Sequence, residues 1–109
     1  MRRVGWRMQV VEIFLPLKCR DGSPQPSERF GQVRRELVEM FGGLTAFTRA
    51  PAEGLWEKGD GDVDRDSIVI FEVMADELDR QWWKAFRAML ERLFDQEEIL
   101  IRASAVDRL

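Results

Sequence analysis

The stretch Ser67-Ile-Val-Ile-Phe-Glu-Val-Met74 constrains the fold more than any other part of the chain. With a side-chain period of two, Val69, Phe71 and Val73 share one face, and Ile68, Ile70 and Met74 share the other with Glu72. A strand apolar on both faces has to be covered on both faces, so this one is expected at the centre of a sheet.

The elements around it follow from the same reading. Residues 8–15 (MQVVEIFL) form a first strand with Val11, Ile13 and Leu15 on one side, Val10, Glu12 and Phe14 on the other, and Pro16 as its stop. Pro24, Pro26 and Asp21-Gly22 make 16–27 a loop. A helix is expected over 27–41, capped by Ser27, with Phe30, Val33, Leu37, Met40 and Phe41 on its apolar face and Gly42-Gly43 at its end. Residues 44–49 alternate as a second, more polar strand. The connection 51–66 is long, with a turn at 59–62 and a possible hairpin extension pairing 55–57 with 63–65. A second helix is expected over 77–94, with Asp76 as N-cap and Asp79 in a capping box. Its stripe would centre on Leu78, Trp82, Phe86, Met89 and Leu93, flanked by Trp83, Leu90 and Phe94. A last strand over 98–103 would turn Ile99, Ile101 and Ala103 to the helices and Leu100 and Arg102 away, leaving 104–109 as a tail.

The order β-α-β-β-α-β predicts an α+β, ferredoxin-like fold: a four-stranded antiparallel sheet in the order 4-1-3-2 with two helices on one face. The length of 109 residues fits a single domain, with its core over 8–104 and 51–66 as an insertion.

Composition removes several classes of function. The net charge of -3 argues against a nucleic-acid binder, although residues 1–20 are basic and 51–66 hold six acids against Lys58 and Arg65. There is no histidine and no tyrosine, which removes histidine-based triads, HExxH zinc sites and a histidine general base. One cysteine, Cys19, allows no internal disulfide and fits a reducing cytosol. Lys18 and Arg20 beside it would favour its thiolate, but it has no base partner. The basic, then apolar, start of the chain is interrupted by Gln9, Glu12 and Pro16, unlike a signal peptide, and no stretch reaches the roughly 20 apolar residues of a membrane span. A cytoplasmic protein with no metal and no resident cofactor is expected. Phosphate-binding, nucleophile-elbow and calcium-loop motifs are absent. Phe14 and Phe71 fall on opposite sheet faces, which speaks against the RNA-binding version of this fold.

The sheet face without helices would carry Val10, Phe14, Ile68, Ile70, Met74 and Leu100, an apolar surface that calls for a cover. A second copy, sheet against sheet in a homodimer, is one cover; a small ligand under the 51–66 loop is the other. Glu12, Glu72 and Arg102 share this face. They fit an ion-pair network that fixes dimer register, an anion site, or a general base formed by Glu72 or Glu12. Trp56 could wall a ligand site, Arg49 could anchor an anion, and Thr45 and Thr48 could add polar contacts. Trp82 and Trp83 are expected in or beside the core.

In Phe41-Gly-Gly-Leu-Thr-Ala-Phe47, Pro51-Ala-Glu-Gly-Leu-Trp56 and Asp66-Ser-Ile-Val-Ile-Phe-Glu-Val73, the chain resembles a family of small bacterial proteins of unknown function; Trp82-Trp83 and Glu97-Glu98-Ile99 fit the same pattern. The resemblance spans most of 8–106 and implies no catalytic residues. The architecture is also similar to the dimeric α+β barrel superfamily, which includes cofactor-independent monooxygenases and haem-degrading enzymes. Those enzymes often use His, Asn or Trp in the barrel, and this chain has no His and no Asn, so the likeness is one of fold. The expected function is a homodimeric ligand-binding or structural module; the alternative is a small cofactor-independent enzyme acting on an organic acid or aromatic compound.

Overall fold

A computed structural model describes residues 6–49 and 68–109. Six elements follow in the order β1 (Trp6–Pro16), α1 (Ser27–Phe41), β2 (Thr45–Arg49), β3 (Ile68–Ala75), α2 (Arg80–Leu93) and β4 (Ile101–Arg108). The four strands form one antiparallel sheet in the order β2-β3-β1-β4. This is the expected 4-1-3-2 order read from the other edge, with the two most apolar strands at the centre. Trp56 and the hairpin expected over 55–65 lie outside the described residues.

Both helices cover one sheet face. Val11, Ile13 and Leu15 of β1 and Phe71 and Val73 of β3 are buried against Val33 and Leu37 of α1 and Trp83, Phe86 and Leu90 of α2. Phe41 joins the helices: its ring stacks on Trp83 at 5.3 Å and meets Trp82 edge-on at 5.5 Å. At the other end Phe30 of α1 meets Phe94 edge-on at 5.2 Å.

The loop after β1 is tied down by Gln25, the one buried polar side chain among the described residues. Its amide donates to the carbonyls of Lys18 (3.2 Å) and Phe94 (3.0 Å) and accepts from Arg29 (2.6 Å). Arg20 donates to the Asp95 carbonyl at 2.9 Å. The loop therefore closes over the C-terminal end of α2. Asp95 takes the positive φ of 53° after that helix, a conformation that aspartate tolerates better than most residues.

Several boundaries differ from the sequence expectation. Pro26, not Ser27, stands at the N-cap of α1, with no side-chain cap bond; its fixed φ of -60° leads the chain into the helix. Helix α2 begins three residues late, because Asp79 is its cap: the Asp79 carboxylate accepts the Trp82 N–H at 3.1 Å. Its buried stripe centres on Trp83, Phe86 and Leu90, so Trp83, rather than Trp82, is the core tryptophan. Met40 is 53% exposed and does not join the face of α1 that packs on the sheet. The expected tail is a strand: 104–108 continues β4 by pairing with the start of β1, Trp6 opposite Arg108 and Met8 opposite Val106. Backbone pairing at a sheet edge needs no apolar side chains, so this segment carried little signal.

Candidate functional site

The face without helices is ordered in lateral rows by the strand register. One row reads Thr45 of β2, Glu72 of β3, Glu12 of β1 and Arg102 of β4, each directly opposite the next. Four of the residues expected in a site thus fall on one line across the sheet. The next row is apolar: Phe47, Ile70 and Phe14, with Leu100 beyond, whose carbonyl accepts the Phe14 N–H at 3.0 Å.

That last bond also fixes the phase of the pairing. Phe14 turns its backbone groups to β4, so Glu12, two residues away, does the same. Glu12 and Glu72 are therefore a non-hydrogen-bonded pair on β1 and β3, the kind in which Cα atoms lie about 4.5 Å apart and side chains approach closest. Two carboxylates held this way oppose each other.

Arg102 relieves one of them. Its Nε donates to Glu12 Oε1 at 2.7 Å, and its guanidinium lies over the Phe14 ring at 4.9 Å from the centroid. The Arg102 side chain is 58% exposed and that of Glu12 24%, so the pair is worth little as a stability term. Its effect is positional: it holds the arginine flat against the sheet. Glu72 is half-buried and has no ion-pair or hydrogen-bond partner among the described residues. Thr45 stands beside it, exposed, with no bond between them. The row is a hydroxyl, an uncommitted carboxylate, a paired carboxylate and a cation, in that order.

Arg49 is placed by the backbone opposite Ile68, at the end of β2 and two positions along the strand from the apolar row. Trp56 lies outside the described residues. Cys19 is half-buried, and its sulfur lies 3.8 Å from the Pro24 carbonyl. Ile70 differs from the expectation of an uncovered apolar face: it is 2% exposed, flanked in its row by Phe14 and Phe47. The exposed apolar groups of this face are Phe47 (42%), Met74 (41%) and Leu100 (53%). Phe14 and Phe47 were not singled out as site residues, although phase alone places both on the open face. Among the described residues no helix is long and apolar enough to cross a membrane, and no cluster of three or more Cys, Asp or Glu could hold a metal ion.

Compared with the models of known protein families and with curated proteins, the chain matches none.

Proposed function

We propose that the chain is a cytoplasmic homodimeric module that pairs sheet against sheet and binds a small molecule beside Glu72. The observation that carries this reading is the lateral row, in which a half-buried carboxylate without a partner among the described residues and a half-exposed arginine flank Glu12 on either side. Such a row is self-complementary. A two-fold axis between two open faces, parallel to β1 and passing over Glu12, reverses the lateral order. It sets the partner's Arg102 against Glu72 and the partner's Glu72 against Arg102. The same operation brings the exposed Met74 and Leu100 into the joint, removing apolar surface from water at about 25 cal/mol per Å2. The similarity of the architecture to dimeric α+β barrels agrees with this arrangement.

The test is the mass of the native protein together with two charge variants. Glu72→Arg and Arg102→Glu each place like charges across the joint and are expected to be monomers. Mixed together they restore both opposite-charge contacts and are expected to form a heterodimer. A wild-type monomer with nothing bound overturns the reading.

A second reading has its own support. Because Arg102 is drawn to Glu12, Glu72 is the carboxylate left able to take a proton from a bound organic acid or aromatic compound. Glu72→Gln would then keep the fold and lose turnover, and unchanged turnover would refute the assignment.

A further inference from the structure

A cationic cleft lies on the other side of the sheet from this row, between α2 and β4. It holds about 330 Å3. Its floor is apolar, made by Val11, Trp83 and Ile101, and its wall carries Arg80, Lys84 and Arg87. The cleft exists because β4 turns small residues toward the helices: Ala103 stands opposite Val11 and Ala105 opposite Gln9. Side chains of that size leave space below α2.

The charge of the cleft is out of keeping with the chain. The whole sequence is net negative, at -3, yet among the described residues no carboxylate lines this space. Arg80, Lys84 and Arg87 fall at i, i+4 and i+7, on one side of α2. Arg87 has a long ion pair with Glu91 at 3.8 Å. Arg80 and Lys84 have no ion-pair partner among the described residues. Arg102 of β4 also lines the cleft, but its guanidinium is turned to Glu12 and Phe14 on the open face. Cations gathered over an apolar floor match a ligand with an anionic head and a hydrocarbon or aromatic body.

We propose that the cleft between α2 and β4 is a binding site for a small organic anion, its carboxylate or phosphate held by Arg80 and Lys84 and its apolar body lying against Trp83, Ile101 and Ala103. The site lies on the helix-covered side and does not depend on the proposed dimer.

Octanoate tests this, with octanol as the body without the charge and inorganic phosphate as the charge without the body. Calorimetric titration of the full chain is expected to show one saturable octanoate site per chain, with octanol and phosphate each at least tenfold weaker. Arg80→Gln combined with Lys84→Gln is expected to weaken octanoate at least tenfold. Ala103→Phe, at an exposed position, is expected to fill the cleft and abolish binding, while circular dichroism shows both variants folded. The proposal is overturned if wild-type protein shows no saturable octanoate binding up to ~1 mM, a free energy of only about -4 kcal/mol. It is equally overturned if octanol or phosphate binds as tightly as octanoate, or if folded Ala103→Phe protein binds octanoate unchanged.

Discussion

Glu12 and Glu72 face each other directly across β1 and β3, and among the described residues only Glu12 holds an arginine. Like charges directly opposite in a sheet cost about 0.2–1 kcal/mol. In a lone protomer, Glu72→Gln removes that repulsion and is expected to raise the unfolding free energy by about a few tenths of a kcal/mol, read as a higher urea midpoint. Glu12→Gln removes the same repulsion but also the 2.7 Å bond to Arg102, so it is expected to gain less or nothing. In the proposed dimer the sign reverses for Glu72, whose loss would cost an intersubunit pair. Urea titrations of Glu72→Gln at low and high protein concentration separate the two cases: stabilisation at low concentration and destabilisation at high concentration are expected.

Ile70 and Leu100 occupy the same apolar row but different environments, at 2% and 53% exposure. Ile70→Ala therefore acts on the protomer itself, with an expected loss of about 2–5 kcal/mol that does not depend on protein concentration. Leu100→Glu is a surface change worth within about 0.5 kcal/mol to the protomer, and its expected effect is to dissociate the dimer. Sedimentation and thermal melts of the pair check this; a monomeric, unfolded Leu100→Glu chain or a fully stable Ile70→Ala chain would contradict it.

The contrast between those two residues marks where the sequence stops being informative. The period-two pattern of 67–74 placed β3 at the centre and assigned Glu12, Glu72 and Arg102 to one face, because phase is a property of each strand alone. Whether they meet depends on register, which is set between strands, so the alignment of Thr45 with Glu72 and of Glu12 with Arg102 needed the structure. The same limit hid the second half of β4. Its side chains from Ser104 onward are mostly exposed, and what holds it is backbone pairing with the start of β1. At α2 the pattern pointed to Asp76 as the cap with Asp79 inside the helix, and the Trp82 N–H bond moves the cap to Asp79. The cationic side of α2 was legible as i, i+4, i+7 spacing. The space beneath it came from Ala103 and Ala105, and Ala105 fell in the stretch expected to be a tail.

The cap can be tested by itself. Asp79→Ala leaves the Trp82 N–H without its acceptor, and loss of such a cap costs about 1 kcal/mol, within a range of 0.5–2. For a chain of 109 residues that corresponds to a fall in Tm of roughly 4–8 °C. Asp76→Ala is expected to change Tm by less than a quarter as much, because Asp76 precedes the helix by three residues beyond the cap. Equal losses at the two positions would place the helix start earlier than described.

Acid should loosen the turn that Asp21 makes in the loop after β1. The Asp21 carboxyl is held below the ordinary aspartate range because it accepts the Ser23 hydroxyl at 2.6 Å and the Ser23 N–H at 2.9 Å. A carboxyl depressed in the folded state stabilises that state above its unfolded value, near pH 4, and the contribution disappears as the pH falls through the folded value. Asp21 is fully exposed, so the effect is small and screened by salt. Asp21→Asn keeps an acceptor oxygen but has no charge to titrate. The difference in urea midpoint between wild type and Asp21→Asn is therefore expected to be constant from pH 7 to about pH 5 and to shrink below pH 4. A carbon-detected titration of the Asp21 carboxyl provides the direct check: a midpoint at or above that of a free aspartate would show that the two Ser23 bonds do not hold the turn in solution.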